Sequence, residues 1–463
     1  MLKYIGPFLR INALDNSNIK SQLFYLAKES LKHIVLHSGC GIITRNEELK
    51  SKIIPKNDDI INGNISPLLC IYRKADGKLV NDNGKLHWNH RKFKKEINMD
   101  SNSFMTLSLL ELVQYYNRFV DIDDKKYSYK NYLLDLVREQ LEFYAFHCRS
   151  RDGVFIDKYD SSDPLCSEYN LTDKDLKFSF STQALLMCAF YNYSSCIKNT
   201  EENEFKNFSL DILKMFKDFK SEIYNINHDE LVKLCFAFNV FYKYSQLEDA
   251  KTLLIDFSEL MLENLKHIPP QVLRDKIDIS CLAYISCMML YKDTQISKFK
   301  DAAQKIYQSL DKLYQPDKGI FIKYLQDKEN KFTCEEIILY LYMNIMQNEY
   351  DENKNKEVDR TKLQNIYKNQ IVNSGIVLSW PEAPDLDDVE RYRNFTSKSD
   401  DLLKDEYFRM PSMPSPESNE LAPIFIKYVT LNRRKESYKQ YKHSFDASKN
   451  MFIFFLILHL DDI

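Results

Sequence analysis

The chain has 463 residues, 44% of them hydrophobic, which is enough for a full core and rules out wholesale disorder. Its 64 Lys and Arg stand against 67 Asp and Glu, a formal net charge of -3, so there is no global electrostatic footprint for nucleic acid. Only nine residues are glycine, so the places where they fall carry information.

Taken in chain order, the N-terminal MLKYIGPFLRINALDNSN lacks the sustained apolar run of a secretory signal. A helix is predicted over 18–37, an outer one by extension of the alternation seen further along the chain. CGIIT at 40–44 opens a long loop to residue 98 that carries HWNH at 87–90. An apolar helix near 103–120 and an outer helix near 131–148 follow, then DGVFI at 152–156 with Asp157 and Asp160 behind it. From there two helix types alternate. Segments 177–193, 230–244, 279–291 and 335–346 are apolar nearly all round, whereas 205–219, 252–265, 299–313 and 358–372 are amphipathic. An inner helix is predicted near 421–432 and an apolar closing helix near 447–460. The run MFIFFLILHL at 451–460 is too short to span a bilayer. A cytoplasmic location without membrane contact is expected.

The glycines add a period. CGIIT, DGVFI, KGIFI at 318–322 and SGIVL at 374–378 put Gly41, Gly153, Gly319 and Gly375 in register, 112, 166 and 56 residues apart. These gaps are near two, three and one multiples of a unit of about 56 residues, the size of a helix pair with its loops. Glycine can end an outer helix in the left-handed conformation, and the apolar triplet behind it can pair as a short strand.

In this alternation and period the chain resembles the (α/α)6 toroids, the six-hairpin glycosidases with related epimerases, polysaccharide lyases and lanthionine cyclases, although no catalytic signature of theirs is matched. An open α-solenoid is the other architecture with this pattern. The resemblance implies an all-α double ring of about six hairpins formed by residues 1–463 as one domain. Long loops at 39–98, 151–175 and 374–420 would carry short strands at one end, above the N-termini of the inner helices.

Those loops supply the candidate site. Trp88 and Trp380 are the two tryptophans of the chain. An indole beside carboxylates and imidazoles suits a pyranose, which offers an apolar face and a rim of hydroxyls. Trp88, Trp380, His87, His90, Tyr159 and Arg391 are the candidate substrate-binding residues, the alternative for each Trp being a cap on the core. Asp157 and Glu382, one from each acidic loop, are the candidate catalytic carboxyls of a hydrolase, lyase or epimerase-like enzyme. Epimerisation would want a base such as His87 or His90.

Other chemistry is disfavoured. His87 and His90 have no third metal ligand, Gly84 and Asn89 argue for loop around them, and the Cys-His pair of the lanthionine cyclases is missing, so no metal and no other cofactor are expected. No GxGxxG, GxxxxGK[ST] or GxSxG occurs. The ten cysteines contain no CxxC and read as buried thiols in a reducing compartment. The basic runs at 90–96 and 432–443 read as solvated charge, so no nucleic acid partner is expected. Two rivals to a sugar-active enzyme remain. One is a non-catalytic toroid binding a glycan, peptide or protein, with the proline-rich 380–423 loop (MPSMPSP at 410–416) as a lid or docking segment. The other is a terpenoid or prenyl-type toroid, for which DDxxD and QxxxGxW are absent.

Overall fold

Helices that are apolar on every side have to be surrounded, and here they surround one another. The computed structural model describes residues 14, 16–44, 65–162, 169–197, 201–350, 356–393 and 405–460. Its main helices are α1 (Asn16–His37), α2 (Met99–Asn117), α3 (Asp124–His147), α4 (Phe180–Cys196), α5 (Glu201–Asp218), α6 (His228–Ser245), α7 (Glu248–His267), α8 (Ile277–Thr294), α9 (Ser297–Asp311), α10 (Cys334–Tyr350), α11 (Lys356–Ile366) and α12 (Ala447–Leu460). Helices α2, α4, α6, α8, α10 and α12 form an inner ring in which each packs on the next, and α12 closes it by touching both α10 and α2. Outside, α3, α5, α7, α9 and α11 each back the inner helix before them, while α1 backs α12. The described chain is an (α/α)6 toroid.

Burial follows the two sequence patterns. Inner helix α4 is buried without a break from Ser181 to Ser194, whereas outer α9 buries one stripe, Phe299, Ala303, Ile306, Tyr307 and Leu310. Among the described residues no helix is long and apolar enough to cross a membrane.

Two expectations are corrected. The segment 421–432 is not a helix. It is extended and ends in a strand, Tyr428–Asn432, where Val429 and Leu431 are buried between half-buried neighbours, a period of two rather than 3.6. The sixth inner helix is α12, which the sequence pattern offered as a closing element. Helix α1 is not a solvent-facing wall either, being buried throughout from Gln22 to Leu36. Residues 380–393 and 405–410 run over it. Tyr25 donates its hydroxyl to the Glu382 carbonyl and meets the Phe408 ring edge-on at 5.3 Å. Lys28 pairs with Glu390 and, at 2.5 Å, with Glu29. Lys126 reaches Asp388 at 2.9 Å and Glu390 at 3.2 Å, and the Tyr115 hydroxyl donates to Glu390 at 2.6 Å.

Short strands lie in the long loops. They are β1 (Gly41–Ile43), β2 (Leu68–Asp76), β3 (Lys94–Ile97), β4 (Lys158–Asp160), β5 (Leu171–Asp173), β6 (Glu329–Thr333), β7 (Tyr428–Asn432), β8 (Ser437–Gln440) and β9 (Ser444–Asp446). One antiparallel sheet runs β1-β2-β3-β4-β5 with β9 also on β2, and a second runs β6-β7-β8. Strands β3, β6 and β9 lead almost directly into α2, α10 and α12.

The link between strands and ring is a side-chain carboxamide. Asn102, Gln183 and Asn450 are each the fourth residue of an inner helix. Asn102 takes both backbone groups of Ile71 (2.8 and 3.3 Å), Gln183 those of Phe155 (3.0 and 2.9 Å) and Asn450 those of Phe425 (2.9 and 2.9 Å). Gln370 does the same for Phe321 from the outer side (2.8 and 3.2 Å). Each amide stands where a neighbouring strand would otherwise supply the bonds.

The structure also shifts one member of the glycine register. Gly153, Gly319 and Gly375 have φ of 86, 62 and 72°, but the left-handed residue after α1 is Gly39, at 59°, not Gly41. Gly41 sits in β1 for another reason, since a Cβ there would lie 1.8 Å from the Cys70 carbonyl oxygen.

Burial alone would raise the Glu390 carboxyl, but Lys28, Lys126 and Lys32 outweigh it and hold it well below the usual carboxylate range. Its folded pKa is thus below its unfolded one, so its stabilisation is complete above about pH 4.3 and fades as pH falls further. Glu390→Gln is expected to lower the unfolding free energy by about 3–5 kcal/mol at neutral pH, because it leaves buried ammonium groups uncompensated. Urea titrations of the variant and the parent should show that gap narrowing towards acid pH.

Candidate functional site

The six inner helices begin at the same end of the ring, and their first two turns build a cavity of about 640 Å³. The second residues of these helices are Asp100, Ser181, Asp229, Asp278, Glu335 and Ser448, and all six line it. The sixth residues are Phe104, Leu185, Lys233, Leu282, Leu339 and Phe452, and they line it too. Residues four apart share a helix face, so the ring presents a polar rim above an apolar floor. Lys233 is the one polar member of that floor. Phe104 and Phe452 meet edge-on at 5.2 Å, with Phe236 at 6.2 Å from Phe452. Asn98, Asp157, Asp175, Lys177 and Phe178 come from the loops above.

Helix N-termini attract negative charge, and the rim is rich in carboxylates for that reason. Most are matched. Asp229 pairs with Lys276 at 2.6 Å, Glu335 with Lys449, and Glu230 accepts the Ser181 N–H at 2.8 Å. Asp157 accepts from the Met99 N–H at 2.9 Å and the Asn98 amide at 2.7 Å, which caps α2, and Lys174 lies 3.3 Å away. Asp100 differs. Its Oδ1 accepts from the Ser101 N–H at 2.7 Å and the Ser448 hydroxyl at 3.3 Å. Desolvation in the wall, and then the charge of Asp157, raise its pKa above the ordinary value, against weaker opposing pulls from the Ser101 N–H, Lys233 and Ser448.

Of the residues singled out in the sequence, Asp157 alone lines this cavity. Trp88 is 1% exposed, donates its indole N–H to His33 Nε2 at 2.9 Å and packs on Phe445. Trp380 is 0% exposed and donates to the Phe408 carbonyl at 2.8 Å. Both indoles are core caps rather than stacking platforms. Glu382 pairs with Arg409, and Arg391 with Asp405 at 2.5 Å, on the segment that covers α1. The structure does not bring Glu382 and Asp157 together. His87 reaches Asp82 at 3.2 Å on the hairpin of strands Val80–Asp82 and Lys85–His87. His90 is exposed on the turn His90–Lys92 beside Phe93, its pKa lowered by desolvation and by His87. Tyr159 is 40% exposed in β4, opposite Glu96. The proline-rich segment is folded in, with the Pro414 carbonyl accepting the Trp380 N–H at 2.8 Å and Pro416 buried. Cys166 lies outside the described residues, as does the middle of the 380–423 loop. The rim and floor residues missed in the sequence had one signal, a charge at a fixed place in otherwise apolar helices, as in ELVKLCFAF.

No protein-family model and no curated protein matches the chain. Solved structures do. A glycoside hydrolase family 76 mannosidase from Bacteroides thetaiotaomicron superposes with a TM-score of 0.46 at 10% identity, over 96% of this chain and 98% of that one. A GH76 α-mannanase from the same organism gives 0.45 at 11% identity, over 99% and 98%. A D-mannose isomerase gives 0.42 at 10%, over 63% and 80%. The site described above is built on this chain's own side chains.

Trp88→Ala and Trp380→Ala test the core-cap placement. Each is expected to lower the unfolding free energy by about 3–5 kcal/mol in denaturant titration. Neither should change the affinity of any ligand of the cavity, measured under conditions where the variant is folded.

Proposed function

We propose that the cavity takes a sugar or sugar derivative and that the chain acts on it, with Asp100 as proton donor and Asp157 as its ionised partner. Cleavage at a glycosidic centre needs one carboxyl kept protonated by its surroundings and another left charged. Asp100, desolvated and facing the charge of Asp157, is the observation that carries this reading. A volume near 640 Å³ suits one or two sugar rings, the phenylalanine floor offers a surface for a pyranose face, and the rim offers hydroxyl partners. No histidine is among the residues lining the cavity, which favours carboxyl chemistry over epimerisation by His87 or His90. The nine described cysteines are free thiols, which supports a cytoplasmic setting.

A second reading, a toroid that binds a glycan without turning it over, is favoured by one feature. Both oxygens of Asp157 are engaged at the N-terminus of α2 and with Lys174. In that case Asp157 is a helix cap and nothing more.

Turnover of a panel of aryl glycosides and oligosaccharides separates the two. For an active enzyme, Asp100→Asn is expected to lower kcat about 10²–10⁴-fold while thermal-shift binding survives. Because the Asp100 pKa is raised, the protonated acid persists above the pH where an ordinary aspartate ionises, and kcat/KM should fall on the alkaline side as it is lost. Ligand-induced stabilisation with no turnover of any member, and Asp157→Asn costing stability alone, would leave the binding reading.

A further inference from the structure

Lys233 is unlike the other cations around the cavity. Lys276 is held by Asp229, Lys449 by Glu335 and Lys174 by Asp157, and Lys177 lies on the loop before α4. Lys233 rises from the floor ring, is exposed, and makes no hydrogen bond or ion pair among the described residues. Its five counterparts are Phe or Leu. A lysine there removes apolar floor without gaining a hydrogen bond or ion pair among the described residues, its electrostatic pull on Asp100 being a weak one.

We propose that Lys233 is a specificity-determining residue that seats an anionic group, a carboxylate or a phosphate, of the sugar taken by the cavity; this rests on the sugar reading above. The carboxylates of the wall do not forbid an anion. Asp229, Glu335 and Asp157 each carry a lysine, Glu230 is taken up by the Ser181 N–H, and Asp100 is the group inclined to stay protonated. What remains are Glu230 and Asp278 on the rim and Asp175 on the loop above, with no lysine paired to them among the described residues, against Lys177 on that loop and Lys233 on the floor. Six helix N-termini add positive potential from every side. That polarity orients a ligand with its anionic end down among the phenylalanines and its hydroxyls up at the rim. An anion on Lys233 also cancels the pull of the ammonium on Asp100, so the acid is held in its protonated form when the ligand is bound.

The test is calorimetric titration of the full chain and of Lys233→Met with glucuronate, galacturonate, glucose 6-phosphate, glucose and galactose. Methionine keeps an unbranched side chain and suits the apolar floor, and a thermal melt checks that the variant is folded. The parent is expected to bind at least one acidic sugar ~10-fold or more tighter than its neutral counterpart, the usual size of a charge-assisted contact. Lys233→Met should lose that preference with neutral sugars unchanged, and Lys233→Arg should keep most of it. The uronate and phosphate arms identify which anion is preferred. Neutral and acidic sugars bound equally by the parent, or a preference that survives in Lys233→Met, overturns the role of Lys233 and leaves the sugar reading standing. Binding of no sugar of either charge overturns both.

Discussion

The carboxamide at the fourth residue of an inner helix is the interaction on which the arrangement of this ring turns. A helix advances about 100° per residue, so residues two and six lie close together on one side and residue four lies about 200° from residue two. When Asn102, Gln183 and Asn450 take both backbone groups of Ile71, Phe155 and Phe425, they fix the rotation of α2, α4 and α12 about their own axes. The opposite face, with Asp100 and Phe104, Ser181 and Leu185, or Ser448 and Phe452, is thereby turned into the cavity. A half-made clasp would leave a buried N–H or C=O unpaired, so the contact is made in full or the segment does not dock. The long loops are for this reason part of the ring's alignment as well as its cover.

A second constraint acts on the far side of α12. The first described helix, α1, backs the last inner helix and is itself covered by residues 380–393 and 405–410. That cover is ionic at its centre. Lys28, Lys32 and Lys126 converge on Glu29, Asp388 and Glu390 in a nearly dry space, where the attraction has to offset a large desolvation cost. The consequence for function is spatial. Trp380, Glu382 and Arg391 belong to this cover, so a loop that leaves the ring at the cavity end contributes its most chemically suggestive residues to the outer wall.

The cavity end is then left to the helix starts. Its carboxylates have two roles that the same residues serve together. They answer the positive ends of the helices, as Asp157 and Glu230 do by capping α2 and α4, and Asp157 adds its charge to desolvation in raising the pKa of Asp100. Lysines from the neighbouring turns neutralise part of that rim, and the floor carries one lysine among its phenylalanines and leucines.

The amino-acid sequence by itself determined the alternation of inner and outer helices, while closure of the ring and the place of α12 as its sixth inner helix came from tertiary contacts. Whether a helix is apolar all round or along one stripe is written in local periodicity, and inner and outer positions follow from that without knowledge of partners. Left-handed glycines with short strands behind them were legible for the same reason, because a positive φ is a property of one residue, although Gly41 stood in for Gly39. Tertiary structure alone decided which loop residues reach the cavity. A loop has no period to fix its direction, and Trp88 and Trp380 went where a large apolar ring gains most by leaving water, against His33 of α1 and the Phe408 carbonyl. The rim and floor could not be assembled into a site along the chain either. Asp100, Lys233, Asp278 and Glu335 are far apart in sequence, each is unremarked in its own helix, and they become one site because closure of the ring brings equal positions of six helices to the same height.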